Sequence, residues 1–140
     1  MSSSPIQVEV VSPEGIIWQG EAVGVTVRNV EGSLGILIDH EPLLTVLAPG
    51  AAEIIVEDGR REVIAVAGGF MSVFENRLSI LTDHAVMGHE ISVDEARRGF
   101  AKMADMIEKG DYTDEDEHLY NQYLAQIRAG EKYAELHHLS

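Results

Sequence analysis

The chain of 140 residues contains no cysteine. That removes a disulfide framework and any thiolate metal site, and it fits a reducing compartment. No apolar run approaches the ~20 residues that cross a bilayer as a helix, so direct membrane insertion is not expected. Met1-Ser2-Ser3-Ser4-Pro5 has neither the basic start nor the apolar middle of a secretory signal. Basic residues are scarce, 10 Lys and Arg against 24 Asp and Glu, for a formal net charge of −14. This argues against nucleic acid and anionic lipid as partners, because both reward cations, and leaves docking on protein open. The chain also lacks a Gly-x-x-x-x-Gly-Lys-Ser/Thr phosphate loop and a Gly-x-Ser-x-Gly elbow. Its six histidines include no His-x-His pair, the strand spacing a sandwich metal site would use. His40, His84 and His89 therefore read as structural or surface groups. A metallohydrolase built on those three is the enzyme-class alternative, and metal analysis separates it.

What the chain does have, over residues 6–89, is a series of short β-type segments. Ile6, Val8 and Val10 alternate with Gln7 and Glu9, the pattern of a half-buried strand. Ser12-Pro13-Glu14-Gly15 suits a type I turn and leads to Ile16-Ile17-Trp18. Val23, Val25 and Val27 share one face. Glu53–Val56 and Glu62–Val66 flank Glu57-Asp58-Gly59-Arg60, whose Asp-Gly is the strongest hairpin signal in the chain. Gly68-Gly69 bends into Phe70–Phe74, and Glu75-Asn76-Arg77 turns into Leu78–Leu81. Many short strands with no helix among them indicate a small antiparallel sandwich.

The central stretch is Gly32-Ser33-Leu34-Gly35-Ile36-Leu37-Ile38-Asp39-His40-Glu41-Pro42-Leu43-Leu44-Thr45-Val46-Leu47-Ala48-Pro49-Gly50. Ile36–Ile38 and Leu43–Leu47 read as strands. Gly32 and Gly35 supply φ > 0 corners, and Pro42 fixes φ at the start of the second strand. The polar connection between them is then a rigid loop that a partner can meet.

Beyond residue 90 the period changes to that of helices. Ser92-Val93-Asp94-Glu95 is a capping box. Val93, Ala96, Phe100, Met103 and Ile107 form one helical stripe. Gly99 weakens its middle by ~1 kcal/mol relative to alanine, and Lys109-Gly110 is a natural stop. Thr113 caps a second helix with Asp114, Glu115 and Asp116 in its first turn and Leu119, Tyr123 and Ile127 on its face. From Lys132 onward the tail either prolongs this helix or is broken from it at Gly130. Met87-Gly88-His89-Glu90 is the linker. An isolated helix of this length is marginal in water, so the hairpin reads as detachable, stable only when docked.

The central stretch resembles the epsilon subunit of the F-type ATP synthase, whose sequences carry Gly-x-x-Gly-Ile and then His-x-Pro-Leu-Leu-Thr-x-Leu-x-Pro-Gly. Two further stretches resemble the same family. One is Ala67-Gly68-Gly69-Phe70-Met71-Ser72-Val73 with Leu78-Ser79-Ile80-Leu81-Thr82-Asp83-His84-Ala85, and the other is Val11-Ser12-Pro13 with Gly20. The resemblance covers nearly the whole β part and is weaker beyond residue 100.

It implies an α+β chain in two parts. Residues 1–88 would be an N-terminal antiparallel β-sandwich docking on the gamma subunit and the c-ring. Residues 89–140 would be a C-terminal α-helical hairpin, mobile and regulatory. The implied role is that of a non-catalytic rotor subunit of the central stalk, coupling c-ring rotation through gamma to ATP synthesis. It would lie peripherally on the cytoplasmic face of the bacterial cell membrane. The implied c-ring contacts are the loop Glu31-Gly32-Ser33-Leu34-Gly35 and the connection Asp39-His40-Glu41-Pro42. The hairpin would reach the alpha/beta hexamer transiently. Its acidic character, above all Asp114–Glu117, implies weak or salt-dependent inhibition there.

No cofactor is implied beyond ATP as a weak regulatory ligand. Some members bind it through Ile/Leu-Asp-x-x-Arg-Ala, matched in part by Asp94 and Arg97, with Val93 and Arg98 departing from the pattern. The same two residues also read as a helix-surface ion pair at i,i+3. A free-standing adaptor, whose hairpin captures an unrelated partner, is the remaining alternative.

Overall fold

The computed structural model describes residues 4–138. Its first part is a continuous ten-stranded sheet folded on itself. One half carries β3 (Gly24–Asn29), β4 (Gly32–Leu37), β6 (Gly50–Ile55), β7 (Arg61–Val66) and β10 (Ala85–Met87) in the order β10-β7-β6-β3-β4. The other carries β1 (Ile6–Ser12), β2 (Gly15–Ala22), β5 (Leu43–Leu47), β8 (Gly69–Phe74) and β9 (Arg77–Leu81) in the order β5-β8-β9-β1-β2. A single bridge, Asn29 to Leu47, joins the halves along one side. All pairings are antiparallel except β1 with β9. The result is the sandwich that the short-strand pattern predicts.

Alternation decides what fills it. Ile6, Val8 and Val10 of β1 point inward, as do Val25, Val27, Ile36, Ile54, Ile64, Met71, Val73, Leu78 and Ile80. β7 departs from alternation, with Val63, Ile64, Ala65 and Val66 all buried. A continuous apolar run means a strand covered on both faces. The second cover comes from the helices.

Two local readings change. Gly32-Ser33-Leu34-Gly35 is not a loop but the first part of β4, paired residue for residue with β3 from Asn29↔Gly32 to Gly24↔Leu37. The chain turns earlier, at Val30-Glu31, with Gly32 at φ 128°. Gly35 turns no corner, and Asp39 does so instead at φ 66°. The Asp-Gly hairpin forms as read, with Gly59 at φ 89°. Asp58 accepts from the Arg60 backbone and side chain, and that side-chain bond holds its carboxyl below the usual carboxylate range.

A 3-10 turn at Gly88–Glu90 leads to α1 (Val93–Glu108), capped by Ser92 accepting from the Glu95 N–H. Gly110, at φ 73°, ends the turn after it. Thr113 and Asp116 then form a reciprocal capping box on α2 (Asp114–Leu136). Helix α2 runs straight through Gly130, so the tail prolongs it.

The hairpin's glycines have a packing role that propensity alone does not show. A Cβ at Gly130 would overlap Val93 and press on Ile91, and one at Gly99 would overlap the Tyr123 ring. Close helix approach is gained where intrinsic helix stability is given up.

Candidate functional site

The two halves of the sandwich differ in what covers them. The outer face of β6 and β7 is roofed by α2, where Ala125 and Ala129 pack on Val63 and Ala65, with Tyr133 and Leu136 alongside. Helix α1 lies outside α2, packed on it rather than on the sheet. Polar groups fasten the roof. Lys132 and Arg61 both reach the nearly buried Glu53 carboxylate, at 3.7 and 3.0 Å. The Arg128 guanidinium donates to the Pro49 carbonyl at 2.7 Å. Burial, and then the charge of Arg28, hold the Arg128 pKa below its ordinary value.

The other half has no such roof. Strand register places Val46, Phe70, Leu81, Val11 and Ile16 side by side across β5, β8, β9, β1 and β2. Val46, Phe70, Leu81 and Ile16 are between 53% and 57% exposed. Leu44 and Phe74, on the same strands, are exposed as well. Isolated apolar residues on a surface mean little, whereas a contiguous row marks an interaction face. Nothing in the sequence taken residue by residue singles out this row. It follows from register, which sets Phe70 opposite both Val46 and Leu81.

The residues implied as ring contacts fall into two separate groups. Glu31, Gly32, Ser33 and Leu34 lie at the tip and start of the β3–β4 hairpin. Asp39, His40, Glu41 and Pro42 form the β4–β5 connection. The four residues 35–38 stand between them, roughly 13 Å at strand rise. They occupy opposite ends of the sandwich and do not form one surface. The hairpin tip projects, with Val30 at 82% exposure. The connection adjoins the end of that face, since Pro42 leads into β5 and the β8–β9 turn that bonds Asp39 follows Phe74.

That connection is held from outside its own sequence. Asn76, in the β8–β9 turn, accepts the Asp39 N–H on Oδ1 at 2.6 Å and donates from Nδ2 to the Asp39 carboxylate at 2.8 Å. Its own carbonyl accepts from the Gln7 N–H at 2.7 Å. Asn76 and Glu75 both have positive φ. His40 bonds within the loop, its N–H to Leu37 and its Nδ1 against the Glu41 carbonyl.

Asp94 and Arg97 do not pair with each other. Arg97 instead bonds to Glu131 of α2, and Asp94 lies exposed in the first turn of α1. The guanidinium that would meet a phosphate is thus already engaged by a carboxylate. Among the described residues no group of three His, Cys, Asp or Glu side chains could hold a metal ion, so His40, His84 and His89 are not brought together. Among the described residues no helix is long and apolar enough to cross a membrane.

Residues 5–88 match the family model described as the ATP synthase delta/epsilon chain, beta-sandwich domain. The chain is similar to the ATP synthase epsilon chain of Cutibacterium acnes, 43% identical over 117 residues, spanning 83% of this chain and 80% of that one. It is also similar to the epsilon chain of Dichelobacter nodosus, 33% identical over 134 residues, 96% of this chain and 94% of that one. Among solved structures, a chain of the Euglena gracilis mitochondrial ATP synthase (OSCP, F1 and c-ring) aligns at TM-score 0.70 and 25% identity, covering 94% of this chain and 81% of that one. A chain from the Tetrahymena thermophila mitochondrial ATP synthase central stalk and c-ring shares the fold at TM-score 0.54 and 20% identity, covering 95% and 98%.

Proposed function

Since the chain belongs to the epsilon-chain family of the ATP synthase, its work is that of a rotor subunit, and we propose that it does that work mechanically, with no chemistry of its own. The observation that carries this is the asymmetry of the sandwich. One outer face is closed by the chain's own helix, and the other presents an apolar row five strands wide. A row of that kind suits permanent contact with a stiff partner, and the gamma shaft is the partner assigned to it.

The two ends divide the remaining contacts. The pinned Asp39-His40-Glu41-Pro42 connection, which the resemblance gives to the c-ring, borders the apolar face, and on that ground we assign it to gamma instead. The projecting turn of Glu31, Gly32, Ser33 and Leu34 is the element shaped to reach polar loops of the c-ring. Short loops on a stiff sandwich store little strain, so torque passes through rather than being absorbed. On this reading the protein sits peripherally on the cytoplasmic side of a bacterial membrane, held there by its partners. Copurification tests the assignment. The tagged full chain, expressed with gamma from the same source, brings gamma with it; failure to do so overturns the reading.

The hairpin is the regulatory part. Extended toward the alpha/beta hexamer it would oppose hydrolysis, weakly and in a salt-dependent way, because seven acids crowd residues 105–117 against the single Lys109. ATPase assays with and without residues 90–140 decide this, and strong salt-insensitive inhibition by the intact chain refutes it. ATP remains a weak ligand at most, through Asp94 and Arg97.

A further inference from the structure

We propose that Asn76 is a positioning residue for the gamma contact, holding the Asp39–Pro42 connection in the one conformation that gamma binds. The proposal rests on the reading of that connection as part of the gamma-docking face. Asp39 is at φ 66°, where a non-glycine side chain is disfavoured. The local turn, closed by the His40 N–H to the Leu37 carbonyl, accommodates a positive φ at its third residue, and a second hold is added from outside it. That hold comes from another turn: the Asp39 backbone N–H and carboxylate both bond to the Asn76 amide, at 2.6 and 2.8 Å.

Asn76 is itself fixed twice. Its φ of 59° is one that asparagine tolerates better than most residues, and its carbonyl accepts from Gln7 of β1. The β8–β9 turn, anchored to a core strand, thus acts as a peg for the β4–β5 connection. Remove the peg and the connection loses its tie to the β8–β9 turn, which lets the residues from His40 to Pro42 shift away from the docked arrangement. The strands on either side, held by full ladders and by the core, would stay as they are.

A peg of this kind acts on recognition through population. If only a fraction of molecules hold the connection correctly, apparent affinity falls by that fraction. Two side-chain hydrogen bonds of ordinary net strength correspond to about a five- to thirtyfold change in the equilibrium between held and released conformers, and affinity falls by as much where the released form then predominates. Asn76 bonds to Asp39 and to the β1 backbone.

The test measures binding of the full-length chain to a catalytic complex stripped of its own epsilon chain, by interferometry, for three variants. Asn76→Gly keeps the positive φ and removes both bonds; it is expected to bind about five- to thirtyfold more weakly, with a thermal midpoint close to that of the unaltered chain. The exchange Asp39→Asn with Asn76→Asp keeps the backbone N–H of residue 39 as donor to residue 76 and re-forms the side-chain bond with donor and acceptor swapped, and is expected to restore most of the affinity. Phe70→Asp tests the docking face independently. If Phe70→Asp abolishes binding while Asn76→Gly changes it less than twofold, the peg is wrong and the docking face stands. If Phe70→Asp also binds normally, the docking face fails and the peg falls with it. If Asn76→Gly loses affinity and the exchange recovers none, Asn76 acts otherwise than by holding Asp39, and the proposal is overturned.

Discussion

Truncating Phe70 to alanine gives the most direct measure of whether the uncovered sheet is an interface. The ring stands midway along the apolar row, opposite Val46 on one side and Leu81 on the other. It is 53% exposed, and a phenylalanine presents ~150–250 Å² in all. About 100 Å² therefore remains to be buried when a partner covers it, worth ~2.5 kcal/mol at ~25 cal/mol per Å². Alanine keeps a small part of that, which leaves a loss of ~2 kcal/mol, or roughly thirtyfold in dissociation constant. The free chain should hardly notice, because Met71 and Val73, the inward neighbours on the same strand, carry β8's share of the core. The assay is titration of gamma-containing complex with each variant. Val30→Ala serves as a control, since Val30 is more exposed still but lies at the hairpin tip, off the row. A Phe70→Ala chain that binds within threefold of the original, or a Val30→Ala chain that loses as much, would refute the argument.

Gly68 and Gly69 have φ near +115° but different surroundings. Gly68→Ala should cost ~1–2 kcal/mol in denaturant unfolding from backbone strain alone, whereas Gly69→Ala, whose Cβ would strike the Leu81 carbonyl, should cost more than ~4 kcal/mol or prevent folding. Glu53→Ala leaves Arg61 and Lys132 without their shared carboxylate and should loosen α2 by ~1–3 kcal/mol, read as faster tryptic cleavage at Arg128 and Lys132; an unchanged rate argues against the clasp. ATP without magnesium should bind no tighter than millimolar in calorimetry, and Glu131→Gln, by releasing Arg97, should tighten it severalfold. Submicromolar binding by the unaltered chain would contradict that.

Much of this was legible in the sequence for local reasons. The alternation of Ile6, Val8 and Val10, the Asp58-Gly59 turn, and the caps at Ser92 and Thr113 each depend on residues within a few positions of one another. What stayed hidden depends on distant pairs. Leu34 and Gly35 look like loop residues because glycines flank them, yet pairing with Val27 and Thr26 makes them strand. Gly99 looks like a weak point until the Tyr123 ring is seen against it. Arg97 looks able to pair with Asp94, three residues away, but closing the hairpin brings Glu131 to it instead. The two implied contact groups are adjacent in sequence and opposite in space, because a strand runs between them.

The same distant pairs bear on how readily the hairpin could leave the sandwich. Six cations, Arg97, Arg98, Lys102, Lys109, Arg128 and Lys132, are all the Lys and Arg that the hairpin carries. In the docked chain Arg97 is taken by Glu131, Lys109 by Asp105, Lys132 by Glu53 and Glu135, and Arg128 by the Pro49 carbonyl. Undocking would free only Arg128 outright, since the Arg97 and Lys109 pairs, and that of Lys132 with Glu135, lie within the hairpin itself. It would also expose Val63 and Ala65 to water and leave the Glu53 carboxylate with Arg61 alone. Extension therefore gains one cation and loses an apolar interface and two anchors, before any repulsion from Asp114–Glu117 is counted. A partner able to draw the hairpin off must supply more than charge: it must offer an apolar groove that replaces Val63 and Ala65 against Ala125 and Ala129.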